Sequence, residues 1–101
     1  MSRASRMPTL SGKETVILEL LLDGREMYGL ELVGASRRRL KRGTVYVTLQ
    51  RMEEKGYVDS RTEEDRGDPG LPRRLYKATA AGRRLFDLWT MVRAKLRLEP
   101  A

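Results

Sequence analysis

A chain of 101 residues supports one domain with one modest hydrophobic core and is too short to carry a catalytic domain beside a regulatory one. With 40% hydrophobic and 35% charged residues it reads as a soluble globular protein, and the absence of cysteine and histidine excludes disulfides, thiolate metal sites and most general-base chemistry. The net charge of +7 points to a polyanionic partner.

No stretch approaches the roughly 20 apolar residues that span a bilayer, and the opening MSRASRMP lacks the apolar middle of a signal peptide. A cytoplasmic protein with no membrane partner is therefore expected. The charge is also unevenly placed. Residues 37–51 carry six cations and no acid, residues 73–97 carry eight cations against Asp87 alone, and residues 52–72 between them carry three cations against seven acids.

Residues 1–10 read as a flexible basic arm. In SGKETVILELLLDG, Ser11 is a capping residue with its box partner Glu14 three positions on, and Gly24 is a natural stop, which predicts a first helix. Its Val16, Ile17, Leu18, Leu20, Leu21 and Leu22 occupy most of the circumference, so a second covering surface is expected from outside the domain. A shorter second helix follows from about Tyr28 to Ala35 with Leu30, Leu32 and Val33 inward. The third begins near Gly43 or Thr44 and ends at Gly56, with Val45, Leu49 and Met52 on one side.

Beyond Gly56, YVDSRTEE and RRLYKAT alternate as strands do, and DRGDPGLP between them carries the Gly and Pro of a reversal, which predicts a β-hairpin. Thr79 then caps a last helix whose Leu85, Leu88, Trp89, Val92 and Leu96 form an apolar stripe.

Helix, helix, helix, hairpin, helix is the order of a winged helix-turn-helix. The predicted fold is thus mostly α with a small β-hairpin: a flexible arm at 1–10, a winged helix-turn-helix DNA-binding domain at 11–79, and a C-terminal dimerisation helix at 80–101. In that architecture the third helix enters the major groove of double-stranded DNA.

With Val45, Leu49 and Met52 inward, Val47, Gln50 and Arg51 form the outward face and Thr44 and Thr48 its edge. Arg can clasp guanine, Gln can pair with adenine, and Val or Thr methyls can pack on thymine. The cations Arg37, Arg38, Arg39, Lys41 and Arg42 just ahead read as a phosphate clamp. Tyr28, at the start of the second helix, has two readings: a phosphate contact or a core tyrosine. On the wing, Arg66, Arg73 and Arg74 are candidate contacts, whereas Glu63, Glu64, Asp65 and Asp68 would repel DNA.

The stripe Leu85, Leu88, Trp89 and Val92 reads as a homodimer seam, with a slot beside Trp89 for a small aromatic effector as the sharper reading. A two-fold dimer would present its reading helices about 34–36 Å apart, matching an inverted repeat. An enzyme is not expected, nor a metal or other cofactor. There is no Gly-rich phosphate loop, and paired acids such as Glu53 and Glu54 stand beside cations. The alternative from another class is a winged-helix adaptor that grips protein or RNA through its acidic block.

Three stretches, MYGLELV, RGTVYVTLQRMEEKGYV and GLPRRLYKATAAGRRLF, resemble in order and spacing the signature segments of the PadR family of transcriptional regulators, across most of residues 14–86. The resemblance implies a cytoplasmic, dimeric winged-helix repressor acting near promoters and often released by a small phenolic or drug-like ligand. It places Tyr28, Thr44 and the exposed positions of the third helix at DNA, and wing residues from Arg66 to Arg74 near the backbone. The last helix becomes the dimerisation element. The lip RRRLKR is more basic than the family's usual one, which implies tighter or less discriminating backbone binding. The short C-terminal part leaves an effector only the dimer seam.

Overall fold

The computed structural model describes residues 9–63 and 73–98, with the side chains of residues 97 and 98 excepted. The elements run α1 (Gly12–Leu20), β1 (Met27–Tyr28), α2 (Gly29–Ala35), α3 (Arg42–Glu54), β2 (Val58–Glu63), β3 (Arg73–Ala78) and α4 (Ala80–Leu98). Residues 1–8 of the expected arm at 1–10 and the hairpin tip at residues 65–72 lie outside the described residues, as does Glu64 at the end of the first predicted strand; Leu10 is part of the core. No described helix is long and apolar enough to cross a membrane.

α1 starts on the predicted capping box. Ser11 Oγ accepts the Glu14 N–H at 3.1 Å, and Glu14 Oε1 accepts the Ser11 N–H at 2.9 Å. The helix ends at Leu20, earlier than predicted, and a turn carries the chain to Gly24 at φ 76°. The expectation of an outside cover for α1 is corrected. Val16, Ile17, Leu18 and Leu21 are buried by the chain itself, with Leu20 and Leu22 packed against the same core. α2, α3 and α4 all contact α1, so an all-round apolar helix is explained by central placement in its own domain.

Glu14 also joins α1 to α3. Its side chain is 8% exposed, and Lys55 Nζ lies 2.8 Å from its Oε2. Burial raises the Glu14 pKa, but hydrogen bonds from Lys55 and Ser11 and the Lys55 charge outweigh it and hold the carboxyl below its ordinary 4.5. The carboxylate's contribution is therefore complete above that ordinary value and is lost as pH falls through the lowered folded one. Glu14→Gln should cost about 1 kcal/mol in urea unfolding near neutral pH. The gap to the unmodified chain should close in acid; a gap that stays constant with pH would contradict the ion pair's role.

α3 begins at Arg42, earlier than predicted, and buries Val45, Leu49 and Met52 as its spacing required. Its end is a Schellman motif. Gly56 sits at φ 81°, its N–H reaches the Glu53 carbonyl at 3.0 Å, and the Tyr57 N–H reaches the Met52 carbonyl at 2.8 Å.

The sheet has three strands in the order β1-β3-β2, all antiparallel, so the predicted hairpin gains a third strand. β1 is only Met27 and Tyr28, paired with Tyr76 and Leu75. Tyr28 therefore belongs to a strand and caps α2 rather than opening it. Glu31 Oε1 accepts the Tyr28 N–H at 2.8 Å and secures that junction. In α2, Leu32 is buried and Val33 half-buried as expected. Leu30 is exposed, which corrects the inward assignment.

α4 is fastened where it leaves the sheet. The Thr79 N–H donates to the Tyr57 carbonyl at 3.0 Å and the Thr79 hydroxyl to the Gly56 carbonyl at 2.6 Å, while Thr79 Oγ1 accepts the Gly82 N–H at 2.9 Å. Phe86 is buried, and Leu85 and Trp89 pack in part on the core.

Candidate nucleic-acid interface

The turn between α2 and α3 is built around Ser36. Its side chain is fully buried, its hydroxyl donates to the Val33 carbonyl at 2.8 Å, and Oγ accepts the Leu40 N–H at 2.9 Å. Leu40 is plugged into the core beside it. A buried hydroxyl and a buried Leu hold the turn at both ends, and the residues between them, Arg37, Arg38 and Arg39, are exposed. Arg37 and Arg38 hold φ 56° and 72°, left-handed conformations that cost a non-glycine residue about 1 kcal/mol each. Arg39 Nε donates to the Ser36 carbonyl at 3.3 Å. Lys41 and Arg42 are exposed at the start of α3.

α3 starts without a side-chain cap or an acid in its first turn, so its positive end adds to the field of the cations around it. On its outer face Val47 is 49% exposed, and Gln50 and Arg51 are exposed beside it. Thr44 is exposed and Thr48 half-buried, and the Thr48 hydroxyl donates to the Thr44 carbonyl at 3.2 Å. Lys13 of α1 reaches Thr44 Oγ1 at 3.4 Å. This cation joins the rim from a different helix, and no spacing in the sequence points to it. Tyr46, 47% exposed, also lies on α3 and is not singled out by the periodicity. Its ring packs so closely on α2 that a Cβ at Gly29 would stand 2.5 Å from it.

Between α2, α3 and β3 lies a cleft of about 810 Å³, whose walls include Tyr28, Leu30, Tyr46, Tyr76, Arg73 and Arg74. Both wing arginines engage the chain itself. The Arg73 guanidinium lies 5.3 Å over the Tyr28 ring. Arg74 Nη1 donates to Ser60 Oγ at 2.9 Å, and the Ser60 hydroxyl donates to Glu53 Oε2 at 2.7 Å. Tyr28 is half-buried and its hydroxyl donates to Glu63 of β2, a bond that raises the phenol's pKa. Arg66 lies outside the described residues, as do Glu64, Asp65 and Asp68.

On α4, Leu85, Trp89 and Val92 are half-buried, whereas Leu88 is 58% exposed. Met91 and Leu96 are exposed with it. Among the described residues no group of His, Cys, Asp and Glu is arranged to hold a metal ion.

The family described as the transcriptional regulator PadR-like family matches residues 17–88. Among solved structures, a PadR family transcription regulator from Clostridium difficile R20291 is 26% identical with a TM-score of 0.67, over 86% of this chain and 96% of that one. A PadR family transcriptional regulator from Eggerthella lenta is 23% identical with a TM-score of 0.66, over 84% of this chain and 71% of that one. Bacillus subtilis PadR in complex with operator DNA is 19% identical with a TM-score of 0.72, over 94% of this chain and 52% of that one. No curated protein matches the chain. The winged-helix order of elements, the three signature stretches and a family match spanning residues 17–88 agree, and the chain belongs to the PadR-like family of transcriptional regulators.

Proposed function

We propose that this protein is a sequence-specific double-stranded DNA-binding regulator, acting as a repressor, that reads an inverted repeat as a homodimer with α3 in the major groove. The observation that carries the reading is the continuity of one surface: Val47, Gln50 and Arg51 are exposed together on the helix that the cationic turn leads into. Side chains able to read base edges thus lie beside side chains able to hold phosphate, the division of labour a DNA interface needs. Arg37, Arg38, Arg39, Lys41 and Arg42 are assigned to phosphates, with Lys13 added from α1. Arg73 and Arg74 are assigned to the backbone near the wing.

The fold likeness to a PadR bound to operator DNA supports the same docking. The exposed Leu88, Met91 and Leu96 on α4 support a second copy as the cover for that helix, which makes residues 80–101 the dimerisation element. Leu85 and Trp89 already pack in part on their own core, so a small aromatic effector at the seam would meet only their remaining surface.

The test is fluorescence anisotropy with the full chain on its own upstream promoter region and on a scrambled duplex across a salt series. Preference for the promoter supports the reading, and equal affinity for both would overturn sequence specificity. Arg38→Asn separates fold from function in the same assay, because Asn tolerates the left-handed backbone better than Arg. The variant should gain about 0.5 kcal/mol in stability and bind every duplex more weakly, with a salt slope shallower by about one.

A further inference from the structure

One face of the wing already holds an anion, and it belongs to the protein. Glu63 accepts the hydrogen bond of the Tyr28 hydroxyl and stands opposite Arg73 in the β2–β3 register. The Arg73 guanidinium lies over the Tyr28 ring. The three groups come from three different strands and converge only because β3 lies between β1 and β2. Arg61, on the same side of β2 as Glu63, is engaged elsewhere: its Nε and Nη2 donate to the two carboxylate oxygens of Glu26 at 2.9 and 2.8 Å.

A phenolic hydroxyl that donates to a carboxylate, with a guanidinium lying over its own ring, is a donor set of the kind that phosphodiester oxygens receive at DNA interfaces. A carboxylate and a phosphodiester each carry one negative charge and present similar acceptor oxygens. Both cannot take the Tyr28 proton and face Arg73 at once.

We propose that Glu63 occupies, in the free protein, the seat that a DNA phosphate takes on Tyr28 and Arg73, so that backbone binding at the wing is an exchange of one anion for another. This rests on the DNA-binding reading above. Phosphates carry no sequence information, so the exchange weakens every duplex alike and leaves the choice among bases to α3. A chain with net charge +7 and a rim of arginines holds DNA of any sequence, and an internal anion at the wing restrains that attachment.

Glu63→Gln keeps the side chain's shape and an acceptor for the Tyr28 hydroxyl while removing the charge. In the full chain it should bind the operator and the scrambled duplex about three- to tenfold more tightly, with a salt dependence steeper by about one ion. Its melting temperature should stay within about 2 °C of the unmodified protein. The gain should disappear when Glu63→Gln is placed on an Arg73→Ala background, since the seat is then dismantled. Unchanged or weaker binding by a normally folded Glu63→Gln variant would overturn the exchange. So would a gain that survives Arg73→Ala, because removal of any nearby negative charge would then suffice. If the unmodified chain binds neither duplex, the DNA-binding reading falls and the exchange falls with it; binding by the unmodified chain with no response to Glu63→Gln removes the exchange alone.

Discussion

Gly82→Ala should cost about 3 kcal/mol, the upper part of the range for forcing extra volume into a packed site. A Cβ at this position would stand 2.2 Å from the Tyr57 carbonyl oxygen and 3.0 Å from its carbon. Both are backbone atoms, so no rotamer change relieves the contact. The same carbonyl accepts the Thr79 N–H, and Thr79 in turn caps α4 through the Gly82 N–H, so any shift that makes room also stretches the cap. In a domain of this size the loss should lower the melting temperature by roughly 12–24 °C, measured by circular dichroism at fixed protein concentration. Gly34→Ala is the matched control. A Cβ there would meet nothing within 4 Å, and the residue sits inside α2, so alanine should stabilise by about 0.5–1 kcal/mol. A Gly82→Ala loss below about 1 kcal/mol would mean that α4 slides freely on the sheet.

Arg51→Ala should weaken binding to the cognate operator by about 1–3 kcal/mol and leave binding to scrambled DNA nearly unchanged. Arg51 is exposed in the last turn of α3, and its backbone carbonyl is already committed to the Lys55 N–H at 3.0 Å. Truncating the side chain therefore leaves the helix end intact and removes only what projects outward. Arg38→Ala provides the contrast, because a phosphate contact is the same on every sequence and its loss should weaken both duplexes equally while flattening the salt slope. Anisotropy titrations of the two variants on both duplexes distinguish these patterns. An Arg51→Ala loss of equal size on both would place Arg51 on the backbone and leave the reading of bases to Val47 and Gln50.

Features set by neighbours in the chain are legible in the sequence. Ser11 and Glu14 announce the start of α1, Gly56 the end of α3, and Thr79 the cap of α4, since each acts within four residues of itself. Thirteen residues of α3 suffice to phase its buried and exposed faces. The seven of α2 do not, and their spacing puts Leu30 on the wrong side. Long-range features stay hidden. β1 exists only through its pairing with β3, a strand almost fifty positions away. Lys13 meets Thr44, and Tyr28 meets Glu63, across separations that carry no periodic signal. The left-handed turn at Arg37 and Arg38 is illegible for another reason: arginine is a residue type from which that conformation is not expected.

The two residue pairs that fasten β1 to β3 also decide how the wing can move. Tyr28 is at once the last residue of that strand and the cap of α2, so the hairpin cannot swing without dragging the helix-turn-helix behind it. In the proposed complex the protein then acts as a rigid caliper, with the spacing between its two contacts on each half-site set during folding. A half-site lengthened by one base pair between those contacts displaces one of them by about 3.4 Å, a shift that the described strands can follow only by carrying α2 with them.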